Sequence, residues 1–119
     1  CLRYEMQRSG FDDVILEYLG ESGVYGGDSA GAIVAGRSLA GVEFGDEPAF
    51  AESIVEQGLR LIDVGIIPHV DSAAFMPAVL QMREAQSAQG EVVELTDTQA
   101  LIVNGGSRRV AEALSATFE

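Results

Sequence analysis

The feature that most constrains this chain is the segment 24–34, which reads VYGGDSAGAIV. A short β-prone run ends in glycines, one serine follows, and small residues begin a predicted helix, so Gly27 to Gly31 match the pattern G-x-S-x-G. A serine at such a turn has a strained backbone, and glycine two residues to either side avoids a clash between the crossing segments. The turn also directs the Ala30 N–H at the reacting centre, where it would stabilise an oxyanion. Ser29 is therefore a candidate nucleophile; the alternative is a glycine-rich βα turn with an incidental serine.

Length and composition limit the classes of protein that this chain can be. A length of 119 residues allows one domain with a modest core, and 47% hydrophobic residues predict a folded protein. The net charge of −12 argues against nucleic acid and anionic membranes as partners, because phosphate binding needs a basic surface. Cys1 is the only cysteine, which excludes an internal disulfide and a thiolate metal cluster. We find no signal peptide or membrane span in the sequence, and we expect a cytoplasmic protein.

The order of predicted elements indicates an α/β domain. Helices are predicted over 2–8, 12–19, 30–35 and 77–89, and the second has the apolar stripe Val14, Ile15, Tyr18 and Leu19. Strands are predicted at 24–25, 66–67, 91–95, 100–103 and 108–114. The strand at 66–67 is uniformly apolar, as in a parallel sheet buried on both faces, whereas the last two strands predict an antiparallel hairpin at the edge. Residues 41–56 are acidic and predict a long exposed loop.

A serine nucleophile needs a base, and His69 is the only histidine of the chain. It follows the apolar strand at 66–67, the end at which open α/β sheets place their active sites. The imidazole needs a carboxylate to fix its tautomer, and the candidates are Asp97, Asp46, Glu47 and Asp71. Asp97 lies in a turn between two strands, whereas the serine–acid–histidine order of the α/β-hydrolases favours Asp46 or Glu47. The residues alone leave the acid open.

Three segments of the chain, taken together, resemble those of a known family. They are GDSAGA at 27–32, GLRLI at 58–62 leading to IPH at 67–69, and LTDTQALIV at 95–103. In these segments the chain resembles the dipeptidase E and cyanophycinase family of serine peptidases, and the resemblance extends to residues 2–19. It implies a flavodoxin-like three-layer α/β sandwich similar to the class I glutamine amidotransferases. It also implies hydrolysis of peptide bonds, often next to an aspartyl residue.

The resemblance implies roles for individual residues. Ser29 matches the family's nucleophile and His69 matches its base. Asp97 falls where the family commonly carries a glutamate as the third member, although an acid in the loop after the serine has also been assigned that role. In the family, strands and a Gly-Gly-Asn loop that supplies part of the oxyanion hole lie upstream of the position of Cys1. We therefore expect residues 1–119 to be one partial peptidase domain without its N-terminal strands, with an N-terminal half or a homodimer as a partner.

The sequence thus predicts a serine-type peptidase that hydrolyses short peptides and needs no cofactor and no metal. Ser29 would attack the scissile carbonyl, and His69 would take its proton. Asp97 would hold the imidazole, and the Ala30 N–H would bind the oxyanion. The rival prediction is a non-catalytic α/β binding module, or an inactive fragment, that keeps the serine turn because it packs well.

The arginines give no substrate-binding pattern. Residues 71–82 lack the arginine-rich pattern of the aspartyl-specific members of the family, so the resemblance does not extend to specificity for aspartate. Arg83, Arg108 and Arg109 are candidates for binding a substrate carboxylate, but we expect them to be surface charge on an acidic protein.

Overall fold

The computed structural model describes residues 2–42 and 56–113, which form a mixed α/β fold. In chain order the elements are α1 (Leu2–Ser9), α2 (Phe11–Gly20), α3 (Ala30–Ala35), β1 (Gly65–Ile67), a 3-10 turn (Ala73–Phe75), α4 (Met76–Ser87), β2 (Val92–Glu94), β3 (Gln99–Asn104) and β4 (Ser107–Glu112). The predicted α/β class is confirmed, and the four predicted helices are present. None of the helices in these two ranges has the length and the apolar character needed to cross a membrane.

A β-α-β unit forms the centre of the fold. β1 and β2 are parallel, with Ile66 opposite Val93. Parallel strands need a crossover connection, and α4 supplies it, with Pro77 in its first turn. The pairing continues past the strand ends, because the Leu95 N–H donates to the Ile67 carbonyl at 2.8 Å. The segments that leave the carboxyl ends of β1 and β2 therefore run side by side.

The alternation of side chains along β1 divides the core between its two faces. Ile67 is fully buried in a cluster with residues of all four helices, among them Met6, Ile15, Val34 and Val79. Ile66 points the other way and packs in a second cluster with Ala35, Val64 and Leu95. All three residues of β1 are buried, so the prediction of a strand covered on both faces is confirmed.

Arg3 ties the first two helices to the rest of the fold. Its buried guanidinium donates from Nε to the Gln57 carbonyl at 2.9 Å and from Nη1 to Asp12 Oδ2 at 3.1 Å. A buried cation is costly unless it is paired, and both contacts satisfy it. The Arg3 side chain thus holds α1 against the start of α2 and against the segment at Gln57.

The predicted apolar stripe of α2 is only half buried. Ile15 is 8% exposed and Leu19 is partly buried, whereas Val14 and Tyr18 are 55% and 58% exposed. Among the described residues, α2 packs mainly on α1, along one narrow side. The stripe is therefore covered along Ile15 and open at Val14 and Tyr18, because a periodic pattern identifies an apolar face without showing what covers it.

The predicted strand at 24–25 is not formed. Val24 is 84% exposed, and no segment within 2–42 or 56–113 pairs with it. A strand requires hydrogen bonds to a neighbouring strand, so β propensity alone does not make one. The predicted loop at 41–56 falls mainly on residues 43–55, which lie outside the described residues.

The last two strands form the predicted hairpin. β3 and β4 are antiparallel, from the pair Gln99–Glu112 to the pair Asn104–Ser107 beside the turn. Gly105 has φ 60° in that turn, a left-handed conformation that glycine adopts without strain. In the part of the chain that is described, the hairpin is a separate two-stranded sheet, so the prediction that it forms an edge of the parallel sheet is wrong.

Candidate active site

Ser29 stands in a strained turn immediately before α3. Its backbone has φ 53° and ψ −116°, a region that residues with a Cβ rarely occupy. The Tyr25 hydroxyl braces the turn by donating to the Gly31 carbonyl at 2.5 Å. Burial raises the pKa of the Tyr25 phenol, which keeps this donor protonated.

The two glycines of the motif have different environments. A Cβ at Gly27 would lie 2.3 Å from the Gly31 carbonyl oxygen, inside the backbone of α3. A Cβ at Gly31 would meet only the Tyr25 hydroxyl, at an ordinary distance of 3.8 Å. The predicted need for glycine is thus confirmed at Gly27 and wrong at Gly31, because no described segment crosses closely over Gly31.

The start of α3 leaves a backbone donor beside the serine. The Gly31 N–H donates to the Asp28 carbonyl at 2.9 Å, and the Ala32 N–H donates to the Ser29 carbonyl at 3.0 Å. Within the described ranges the Ala30 N–H has no acceptor. A negative charge that developed next to Ser29 would find a donor there without displacing an existing hydrogen bond.

His69 approaches the serine from the carboxyl end of β1. The residue has φ 63°, and the Ser72 N–H donates to its carbonyl at 3.0 Å, which closes a turn. The imidazole Nε2 lies 3.0 Å from Ser29 Oγ, and 21% of the side chain is exposed. This distance is within the reach of a general base.

Asp97 binds the other nitrogen of the ring from the turn after β2. Its Oδ1 lies 2.6 Å from His69 Nδ1. Because a carboxylate only accepts, Nδ1 carries the proton and Nε2 of the neutral imidazole is left to accept from the serine hydroxyl. Ser29, His69 and Asp97 therefore form one hydrogen-bonded row at the carboxyl ends of the parallel strands.

Two further residues contact this row. The Phe75 ring stacks on the His69 imidazole with 4.3 Å between centroids and 15° between planes. Asp71 Oδ1 accepts a hydrogen bond from the Asp97 backbone N–H at 2.9 Å. No sequence pattern indicated Phe75, and Asp71 was considered only as a rival acid for the ring.

The candidate arginines lie away from the row, and two of the candidate acids are not among the described residues. Asp46 and Glu47, the remaining candidate acids, lie outside the described residues. Arg83 forms a surface ion pair with Glu94 at 2.5 Å, and this hydrogen bond raises the pKa of the guanidinium. Arg108 pairs with Glu91, and Arg109 is exposed on β4. In the ranges described, no three His, Cys, Asp or Glu side chains come close enough together to hold a metal ion.

The row opens into a cleft of about 1160 Å³ between the serine turn and the β3–β4 hairpin. Its lining includes Ser29, His69, Asp97 and Asp28, with apolar residues such as Leu101 and Val103 on the hairpin side. The volume exceeds what a single side chain would fill and is close to that of a small-molecule site.

A serine hydrogen-bonded to a histidine, which is in turn hydrogen-bonded to an aspartate, is an arrangement found in serine hydrolases. Comparison with known proteins gives the family. The model of peptidase family S51 matches residues 1–111, and the chain belongs to this family. The resemblance to the dipeptidase E and cyanophycinase peptidases is thereby confirmed, and membership supports a peptidase function.

Individual relatives agree with this assignment. An uncharacterized peptidase of Listeria monocytogenes is 24% identical over 105 residues, which are 87% of this chain and 51% of that protein. An uncharacterized peptidase of Listeria innocua is 33% identical over 75 residues, 62% of this chain and 36% of that protein. The fold matches the crystal structure of a candidate peptidase E protein from Listeria monocytogenes with a TM-score of 0.81 at 22% identity, over 95% of this chain and 55% of that one. The chain thus spans about half the length of the first curated relative.

Proposed function

We propose that this chain carries the nucleophile, base and acid of a serine-type peptidase. The observation that carries the proposal is the continuous row from Ser29 Oγ through His69 to Asp97, with distances of 3.0 and 2.6 Å. Ser29 combines positive φ with a hydroxyl placed on the only histidine of the chain, and strained backbone of this kind is concentrated at functional sites. We further propose that the turn at Ser29 is a nucleophile elbow.

The chemistry follows from the order of the donors and acceptors. His69 Nε2 accepts the hydroxyl proton as Ser29 Oγ attacks the scissile carbonyl carbon, and the same nitrogen then protonates the leaving amine. A water molecule, deprotonated in the same way, hydrolyses the acyl-enzyme and regenerates the serine. Asp97 keeps the proton on Nδ1 and stabilises the imidazolium that forms in each step.

The Ala30 N–H is proposed as an oxyanion donor. It belongs to the residue after the nucleophile, and it has no acceptor among the described residues. The proposed substrates are short peptides, which the size and open shape of the cleft can accept. We also propose that residues 1–119 are part of one flavodoxin-like peptidase domain, to which β1 and β2 contribute two parallel strands.

The test combines covalent labelling with turnover. A fluorophosphonate probe is expected to label Ser29, and the Ser29→Ala variant is expected to lose both labelling and hydrolysis of fluorogenic dipeptides. Ser87→Ala, at an exposed serine near the end of α4, serves as the matched control and is expected to retain both. A folded protein that stays unlabelled and inactive on the whole dipeptide panel would instead support the non-catalytic binding module.

The proposed acid has its own test. Asp97→Asn is expected to lower kcat by about 10³- to 10⁴-fold, because the amide favours the wrong imidazole tautomer. Asp46→Asn and Glu47→Gln are the comparison variants, and they are expected to retain most of the activity. Collapse of activity in either of these, with near-normal turnover in Asp97→Asn, would transfer the role of the acid.

A further inference from the structure

We propose that Asp71 is a positioning residue that holds the acid-bearing turn in register with His69. The inference deepens the proposed function and rests on it. Asp71 Oδ1 accepts from the Asp97 N–H at 2.9 Å, across 26 positions of sequence. The proposed action of Asp71 on the imidazole thus runs through Asp97.

Asp97 needs a hydrogen bond of this kind because its side chain is not held in place by burial. The Asp97 side chain is 51% exposed, and it lies in a turn between two short strands. An exposed side chain on a turn retains rotamer and backbone freedom, and that freedom must be lost for a 2.6 Å hydrogen bond to His69 to persist. Positioning must therefore come from hydrogen bonds to the turn itself.

Other groups accept from the backbone N–H donors on either side of Asp97, whereas Asp71 accepts from the N–H of Asp97 itself. The Leu95 N–H is held by β1 at 2.8 Å, and the Thr96 N–H donates to Gln99 Oε1 at 3.0 Å. The Gln99 N–H in turn donates to the Thr96 carbonyl at 3.1 Å. These bonds fix the residues on either side of Asp97, whereas the N–H of Asp97 itself is held by Asp71.

Two side-chain hydrogen bonds consequently join the base turn and the acid turn in opposite directions, beside the backbone bond from the Val70 N–H to the Leu95 carbonyl at 3.1 Å. The His69 side chain donates to the Asp97 side chain, and the Asp97 backbone donates to the Asp71 side chain. The Ser72 N–H closes the turn that contains His69 by donating to the His69 carbonyl. The same turn contains Asp71, so one turn supplies both the base and the acceptor that holds Asp97. Together the two bonds fix both the backbone and the carboxylate of Asp97, which one bond alone would leave free to rotate.

The role assigned to Asp71 is that of a hydrogen-bond acceptor, so an amide should replace its carboxylate. Asp71→Asn keeps an oxygen at Oδ1, whereas Asp71→Ala removes the acceptor. Asp63→Ala is the matched control, because Asp63 is another exposed carboxylate, whose ion pair with Arg60 spans 3.7 Å. His69 is the only histidine of the sequence, so its ring signals are assigned directly in nitrogen-15 NMR spectra of the purified protein.

In Asp71→Ala we expect the fraction of the His69 ring protonated at Nδ1 to fall and kcat on a short peptide to drop about tenfold, with a nearly unchanged KM. Asp71→Asn and Asp63→Ala are expected to keep both properties, and unfolding midpoints check that every variant is folded. Native ring signals and native kcat in Asp71→Ala would overturn the proposal. Equal losses in Asp71→Asn and Asp71→Ala would overturn it too, because charge would then be responsible. A wild-type protein that is folded but neither labelled by the fluorophosphonate nor active on peptides would refute the proposed function, while the ring signals would still decide the role of Asp71.

Discussion

Replacing Gly27 by alanine tests the close contact between the serine turn and α3. The new Cβ would lie 2.3 Å from the Gly31 carbonyl oxygen, 2.5 Å from its carbonyl carbon and 3.0 Å from the Ala32 nitrogen. All three are backbone atoms of a helix, so relief requires the turn or α3 to move. Overpacking of this kind costs about 1–3 kcal/mol, and the reduced entropy of the unfolded chain offsets about 0.4–1 kcal/mol of it. We expect a net loss of about 1–2 kcal/mol in the free energy of unfolding.

Gly31→Ala is the matched control within the same motif. Its Cβ would lie 3.8 Å from the Tyr25 hydroxyl, an ordinary van der Waals contact, and the residue is inside α3. Alanine is favoured over glycine in a helix interior by about 0.8–1.0 kcal/mol, so we expect this variant to be neutral or more stable. The same substitution should thus destabilise the protein at position 27 and not at position 31.

Urea unfolding followed by circular dichroism measures both variants. With a slope of about 1–3 kcal/mol per molar urea, a difference of about 2 kcal/mol separates the two midpoints by about 1 M. Gly27→Ala should also lower peptide hydrolysis, because movement of the turn changes the Ser29–His69 distance. Equal destabilisation by both alanines, or an unchanged midpoint in Gly27→Ala, would refute the reasoning.

Three further predictions concern the surroundings of the site. Tyr25→Phe should cost about 1 kcal/mol below pH 10 through the lost hydrogen bond to the Gly31 carbonyl. Burial raises the pKa of the Tyr25 phenol above its ordinary value of 10.0, so this stabilisation is present below pH 10 and is lost as pH rises through the folded-state pKa. The free energies of unfolding of the wild type and Tyr25→Phe should therefore converge when urea titrations are made at alkaline pH. Phe75→Leu removes the stack on His69, which is worth about 0.5–1.5 kcal/mol, and should lower kcat up to about tenfold in steady-state assays. Arg3→Ala should cost about 3 kcal/mol in urea unfolding by leaving a partly buried carboxylate unpaired, whereas Arg83→Ala, at a surface ion pair, should leave the midpoint unchanged.

The sequence by itself determined the features that depend on neighbours in the chain. The G-x-S-x-G pattern predicted a tight turn, and Ser29 has positive φ there. Proline near the first turn of α4 and the apolar run at β1 predicted a helix and a buried strand, and both are present. These predictions succeed because a cap, a turn or a short apolar strand is specified by residues within a few positions of one another.

Only the tertiary structure decided which distant groups meet. His69 and Asp97 are 28 positions apart, and they approach because β1 and β2 pair in parallel and end at the same edge. Spacing could not choose among the candidate acids, since that choice depends on strand register. The same limit explains Gly31, which matched the motif although no described segment crosses closely over it, and Tyr18, which matched a helical stripe and is 58% exposed. A sequence pattern specifies which groups a residue can contact, but the packing of distant segments determines which of them it does contact.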